Sequence, residues 1–322
     1  MVMHMNKRAL KIGLIGLGRM GQNHLRILSL LKDVELVFVV DSDPELAARV
    51  GAIYAIPGVT DLIEVLDSAD AVVICTPTVN HASCIRQAAE KVKNIFVEKP
   101  LADTLEEARL INDLVVKKNL NLQVGFIERF NPAVEGIRSI LRRSQQVISI
   151  DFTRTNKVSS RILDVDVITD LMIHDIDLAL YLNGPMRCLT AHGFAKFKMI
   201  DYVSALITHE NGSFSRIQAS RITDKKVRRI EATCSDMFID CDLLRKEIII
   251  NRQSETEQQE NQPYVISTVQ EIVEVRPQEA LLLELQAFVA SCHGNVNPEI
   301  PRALDGLASI QVCDEIQKMV MM

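Results

Sequence analysis

The chain has 322 residues, 48% hydrophobic and 24% charged, which is a soluble globular composition with enough length for two domains. A net charge of −6, 4% aromatic residues and no Trp argue against a nucleic-acid partner held by phosphate contacts or base stacking. No apolar run reaches the ~18 to 20 residues of a bilayer span, so no membrane partner is expected.

Lys7-Arg8 and the apolar stretch after them mimic a signal peptide, but Arg19 interrupts the stretch and no A-x-A cleavage site follows. The seven cysteines are odd in number and form no C-x-x-C pair, which reads as reduced thiols in a cytoplasmic protein.

Ile12, Leu14 and Ile15 form a buried strand, and Gly16, Gly18 and Gly21 follow as G-x-G-x-x-G. Leu25, Leu28 and Leu31 then share a helical face, and Val34 to Val40 form a second buried strand closed by Asp41, 20 residues past Gly21. Glycines so spaced occur in many loops; this strand–turn–helix–strand setting makes them a dinucleotide fingerprint. Gly16 permits the tight turn, Gly18 lets backbone approach a pyrophosphate, and Gly21 lets helix and strand pack closely. Arg19 and Met20 open the helix whose N–H groups and dipole hold the phosphates. Asp41 is expected to accept from the adenosine ribose and to repel a 2′-phosphate. Asp43 adds negative charge and no Arg or Lys occupies 42 to 44, so the expected cofactor is NAD rather than NADP.

Ala69 to Cys75 is a third strand, and the loop after it, Thr76-Pro77-Thr78-Val79-Asn80-His81, lies where ligands of an open α/β sheet bind. Thr76 offers a hydroxyl and Pro77 stiffens the turn. His81 either reaches the cofactor or opens the next helix. Asn94 to Val97 is a fourth strand ending in Glu98-Lys99-Pro100, a capping box at Thr104 to Glu107 starts another helix, and Leu120 to Val124 is a fifth strand. Residues 1–124 thus read as an α/β Rossmann domain with a parallel, doubly wound sheet.

Residues 125–322 read as an α+β domain for substrate binding and oligomerisation. A helix from Pro132 to Arg143 precedes strands at Val147–Lys157, Arg187–Phe197, Tyr202–His209, Ser213–Ile222, Arg228–Cys234 and Met237–Asp240. Their alternation fits a large, mainly antiparallel sheet, and Asn211-Gly212 signals a hairpin. A half-exposed sheet of this kind predicts a homodimer or homotetramer. Ser254 to Gln262 reads as an exposed excursion, and Gln278–Cys292 and Arg302–Met319 as closing helices. A helix from Val167 to Leu182 carries Asp170, His174 and Asp177 on one face, so that Asp170 can orient the His174 imidazole. No third ligand has metal-site spacing, and no metal is expected.

Together these motifs resemble the Gfo/Idh/MocA family of sugar and cyclitol dehydrogenases over nearly the whole chain. The resemblance rests on the glycine fingerprint, Thr76-Pro77, Glu98-Lys99-Pro100 and Asp170-x-x-x-His174. It implies a catalytic set of Lys99, Asp170 and His174 in the cleft between the domains, and a cis bond before Pro100. It adds Glu98, Lys99 and Arg129 to the cofactor contacts. Within the family, Gly125 to Pro132 and Asp164 to Asp177 resemble the UDP-N-acetylglucosamine 3-dehydrogenases; in this chain Asp164-Val165-Asp166-Val167 stands where the general family often carries a Gly-Gly pair.

Oxidising a secondary hydroxyl requires hydride transfer and loss of a proton. His174 is the expected base and Lys99, as ammonium, stabilises the developing alkoxide. Lys99 as base is the alternative assignment, and requires its pKa to be lowered. Arg154 and Arg161 are the candidate cations for a substrate pyrophosphate, with His174 and Asp177 completing the substrate contacts; Lys225, Lys226, Arg228 and Arg229 read as a solvated hairpin. Dehydrogenation of a free sugar, sugar phosphate or inositol is the alternative activity, and a non-catalytic NAD-binding regulator a further one.

Overall fold

The computed structural model describes residues 8–157, 165–196, 199–254, 267–295 and 297–321. The chain forms two compact units, one of Met1–Ile127 with Glu279–Gln311, the other of Glu128–Gln278 with Val312–Met322.

The first unit is built on six strands: β1 (Leu10–Ile15), β2 (Val34–Val40), β3 (Gly58–Val59), β4 (Ala71–Ile74), β5 (Asn94–Glu98) and β6 (Asn121–Gly125). All pair in parallel, in the order β3-β2-β1-β4-β5-β6. The order reverses direction beside β1, the switch point at which doubly wound sheets bind ligands. The connecting helices are α1 (Arg19–Leu28), α2 (Pro44–Tyr54), α3 (His81–Ala88) and α4 (Leu105–Lys118). Their starts follow local chemistry: the Asp43 carboxylate accepts from Glu45 N and Leu46 N ahead of Pro44, and Thr104 Oγ1 accepts from Glu107 N at 3.2 Å.

The second unit holds α5 (Pro132–Leu141), β7 (Val147–Thr155), α6 (Ile173–Asn183), β8 (Met186–Lys196), β9 (Met199–His209), β10 (Phe214–Ser220), β11 (Val227–Cys234), β12 (Phe238–Asp242), β13 (Glu247–Ser254) and β14 (Ser267–Val273). The eight strands run β14-β13-β12-β11-β7-β10-β9-β8. Every neighbouring pair is antiparallel except β7–β10. One face is apolar and covered by α5 and α6, with Ile150, Phe152, Ile217, Ile230 and Ile239 almost wholly buried. The residues between them, such as Asp151, Arg216 and Arg229, line the other face and pair with one another or with Asp240. Gly212, at φ +86°, turns the β9–β10 hairpin.

The strands β3, β13 and β14 and the grouping of the last helices depart from the sequence reading. β13 and β14 form a hairpin that periodicity did not reveal; Glu247–Ile250 is a continuous apolar run after a single charge, and the excursion expected from Ser254 lies, beyond that residue, outside the described residues. The last helices, α7 (Ala280–Cys292) and α8 (Ala303–Met321), were assigned to the second domain by chain order. Residues 279–311 instead group with the first unit, because Leu281, Leu285, Phe288 and Val289 join the core formed by β1, α1 and Phe96. No helix among the described residues is long and apolar enough to cross a membrane.

Candidate functional site

The first unit places its candidate residues at the carboxyl ends of β1, β2, β4 and β5. Gly16 has φ +93°, and a Cβ there would lie 2.6 to 2.7 Å from the backbone of Cys75 and Thr76. A Cβ on Gly21 would sit 1.9 Å from the Gly16 carbonyl oxygen, so helix and turn meet backbone to backbone. Gly18 differs: among the described residues nothing lies within 4 Å of its Cβ direction, and it precedes α1 without a side-chain cap. Bare N–H groups facing open space at a helix start suit a dinucleotide pyrophosphate. Arg19 and Met20 open α1 with exposed side chains.

Asp41 ends β2 and ties the loop to it: Oδ2 accepts from Leu17 N at 2.7 Å and Oδ1 from Asp43 N at 3.0 Å. Each oxygen keeps a lone pair for a ribose hydroxyl. These residues fit NAD.

Thr76 and Pro77 follow β4, and His81 does not reach outward from them. It is 1% exposed, its Nδ1 donates to the Pro100 carbonyl at 2.7 Å and its Nε2 lies 3.0 Å from the Thr76 carbonyl. His81 therefore opens α3 and braces the Thr76 loop against the Pro100 turn. Burial lowers its pKa, against the two carbonyls that favour the charged ring. Glu98 accepts from His24 Nε2 at 2.8 Å and from Lys99 N at 3.1 Å, so both oxygens engage groups of the protein. The Lys99–Pro100 peptide is cis.

In the second unit, residues Ile168–Met172 form a π-turn that runs into α6, closed by the Ile173 N–H on the Ile168 carbonyl. Single π-turns recur at functional sites. Sequence reasoning expected one continuous α-helix; Asp170 sits in the wider turn and His174 in the first α turn, both half-buried. Asp166 builds this start, accepting at Oδ1 from Ile168 N at 3.0 Å and Thr169 N at 2.9 Å, and at Oδ2 from Gln317 Nε2 at 2.6 Å. Its signal was present in the sequence as an Asp two and three residues ahead of the helix's first donors.

Arg154 is corrected as a substrate cation. It is 2% exposed; Nε and Nη2 donate to Asp175 at 2.8 and 2.7 Å, and Nη1 donates to Glu128 Oε1 at 2.9 Å. Burial would lower the guanidinium pKa, and the two carboxylates raise it instead. Alternation along β7 turns Arg154 to the covered face of the sheet, where only internal acids can meet it. Asp177 and Arg129, expected at substrate and cofactor, pair with each other: Nε donates to Oδ2 at 2.8 Å and Nη2 to Oδ1 at 2.6 Å, with the guanidinium 4.6 Å from the Tyr181 ring centroid. Arg161 lies outside the described residues.

Arg228, read as part of a solvated hairpin, is on the covered face in register with Arg154. Its side chain is 32% exposed and it reaches Glu128 Oε1 at 3.3 Å. Burial and then Arg154 lower its pKa, while Glu128, Asp175 and Asp170 act to raise it. Asp170 interacts with its charge, and part of the Arg228 side chain stays open to solvent. Only the pairing across strands reveals this.

Burial raises the Glu128 carboxyl, but Arg154, Asn131 and Arg228 together outweigh it and hold the pKa below the ordinary 4.5. A carboxylate with a depressed folded pKa stabilises fully above its unfolded value and loses that contribution as pH falls through the folded one. Acidification below pH 4.5 should therefore reduce the melting temperature more steeply in the native chain than in Glu128→Gln. Parallel melting curves against pH check this; equal slopes would refute it.

Two family models match the chain. One, described as an oxidoreductase family with an NAD-binding Rossmann fold, covers residues 10–126, and the other, a GFO/IDH/MocA C-terminal domain, covers residues 145–239. The UDP-N-acetylglucosamine 3-dehydrogenase of Acidithiobacillus ferrooxidans is 28% identical over 306 residues, spanning 94% of each chain. The inositol 2-dehydrogenase of Rhizobium meliloti is 29% identical over 320 residues, again spanning 94% of each. A solved structure of the Acidithiobacillus ferrooxidans enzyme superposes with a TM-score of 0.85 at 26% identity, covering 98% of both chains.

Proposed function

The chain belongs to the GFO/IDH/MocA family of NAD-binding oxidoreductases, and on that premise we propose that it oxidises a sugar secondary hydroxyl to a ketone, specifically the 3-hydroxyl of a UDP-N-acetylhexosamine. The observation that carries the finer reading is the full-length likeness to a UDP-N-acetylglucosamine 3-dehydrogenase. Arg228 supports it, as a part-exposed arginine within electrostatic reach of Asp170 and suited to a substrate diphosphate.

Bound NAD supplies the hydride acceptor. An imidazole nitrogen of His174 takes the hydroxyl proton, and Asp170 positions that imidazole. The Lys99 ammonium donates a hydrogen bond to the same oxygen and stabilises the charge that develops on it. The glycine loop and Asp41 hold the cofactor.

The test is a panel of UDP-sugars and free polyols followed by NADH absorbance. UDP-N-acetylglucosamine or its epimer should turn over best, and Arg228→Gln should raise its KM with little change in kcat. Turnover confined to inositol, the activity in the name of the Rhizobium meliloti relative, or to free sugars would replace the nucleotide-sugar reading.

Asp41 gives a second expected result. NAD should support turnover far better than NADP, and Asp41→Ala should narrow that ratio while slowing the NAD reaction, because the Leu17 N–H loses its acceptor. Steady-state kinetics with both cofactors decide it, and equal efficiency in the native chain would refute the role given to Asp41. The proposal includes a homodimer or homotetramer. Leu206, Phe214 and Ile272 on the uncovered sheet face are 42%, 39% and 79% exposed and favour one; light scattering measures it.

A further inference from the structure

The dinucleotide helix α1 carries a histidine that cofactor binding does not use. His24 is 0% exposed, and its ring lies 5.2 Å from that of Phe96. Its Nε2 is 2.8 Å from Glu98 Oε1, while its Nδ1 is buried with no hydrogen-bond partner among the described residues. A proton on Nδ1 would be stranded away from any acceptor, so the proton belongs on Nε2, and His24 acts as a fixed donor to Glu98.

Glu98 passes that constraint on. Its second oxygen accepts from the backbone N–H of Lys99 at 3.1 Å. Across from it, Gly125 leaves no slack: a Cβ there would lie 3.1 Å from Glu98 Oε2 and 3.2 Å from its Cα and Cδ. The carboxylate is thus gripped by the helix on one oxygen and by the Lys99 peptide on the other. His24 lies five residues beyond Arg19, where α1 begins, which places it roughly 8 Å along the helix from the pyrophosphate end.

We infer that His24 is a positioning residue, which through Glu98 locks the Lys99 turn to the same helix that holds the cofactor phosphates. One rigid element then sets both the dinucleotide and the peptide from which the lysine projects. The inference rests on the reading that Lys99 meets the reacting oxygen, and its principal test does not depend on turnover. Without the Nε2 donor, Glu98 Oε1, on a side chain only 14% exposed, loses the hydrogen bond that fixes it. The carboxylate must rotate or recruit water, and the Lys99 peptide loses its anchor.

The experiment compares the full chain with His24→Leu and His24→Gln, the latter keeping an amide donor near the Nε2 position. Lysines carrying ¹³C-methyl groups are observed by NMR, and the Lys99 signal is identified by its absence in Lys99→Ala. It should move in His24→Leu and return toward its native position in His24→Gln, with NAD affinity by calorimetry changed less than about threefold. With UDP-N-acetylglucosamine as substrate, kcat should fall up to about 100-fold in His24→Leu, the scale of a 1 Å misplacement. The glutamine should restore most of it, and His24→Leu should add little in a Lys99→Ala background. A Lys99 signal unmoved by His24→Leu, or moved equally by leucine and glutamine, overturns the inference. Absence of turnover with UDP-sugars instead refutes the substrate reading and leaves the NMR comparison decisive. If His24→Leu does not fold, Glu98→Gln carries the same test and must shift the Lys99 signal.

Discussion

Replacing His174 or Lys99 by alanine will lower kcat by about 10²- to 10⁴-fold, the usual loss when a positioned acid–base group is removed. Cofactor affinity will be nearly unchanged, because the groups that suit NAD are the Gly16–Gly21 loop, the uncapped start of α1 and Asp41. Asp170→Asn will cost less than either alanine, since a residue that orients the imidazole leaves the proton acceptor in place. The His174→Ala/Lys99→Ala double variant will lose less than the product of the single losses if, as proposed, both groups act on one oxygen, because such groups do not contribute independently. The measurement is kcat on the best substrate of the sugar panel, beside NAD affinity by calorimetry. If both alanine variants keep near-normal kcat, the proposed mechanism is wrong although the fold and family stand. Asp170 gives the comparison added weight. It sits in a π-turn whose N-terminal donors are held by Asp166, so its placement depends on a local distortion that costs backbone regularity. Asp166→Ala should relax that turn and reproduce part of the Asp170→Asn loss.

Arg154→Ala will destabilise the second unit by about 3–5 kcal/mol, the typical cost of removing one partner from a buried ion pair. Asp175 and Glu128, 2% and 7% exposed, would keep buried charge without the guanidinium that satisfies it. For a unit of this size the melting temperature should fall by roughly 6 to 20 °C. Arg154→Met should do little better, because filling the volume does not neutralise the acids. Replacing Arg154, Asp175 and Glu128 together by apolar residues of similar volume should recover much of the loss, since such a set roughly breaks even against good packing. A substrate-binding arginine would behave differently, with KM rising and the melting temperature hardly moving. A shift below about 2 °C in Arg154→Ala would therefore overturn the structural role and reopen the substrate one.

The contrast between these residues shows where a linear reading works. Gly16, Gly18, Gly21 and Asp41 were legible because each answers to its immediate neighbours: a turn that needs φ +93°, a helix start, a strand end. The Asp43 and Thr104 caps, the Asn211-Gly212 hairpin and the strands β1, β2, β4, β5 and β6 follow the same logic, since hydrophobic period and turn chemistry are local quantities. Asp170 and His174 were picked out by their helical spacing, whereas the catalytic set that joins them to Lys99 came from the motifs of a resemblance, and the roles of all three are proposals.

What the sequence alone determined is thus the parallel α/β unit with its dinucleotide loop, and the antiparallel second sheet. The tertiary structure alone decided the partners of the charged groups. Arg154 and Arg228 both look like surface cations in a polar stretch. The β7–β11 register puts them side by side on the covered face, and the nearby acids bury one and leave the other part-exposed. Arg129 and Asp177, 48 positions apart, are joined only by folding. The return of α7 to the first unit depends on which core has room for Leu285 and Phe288. Helix and strand periods are written in neighbouring residues; charge pairing and core membership are set by contacts between distant ones, and no local pattern encodes them.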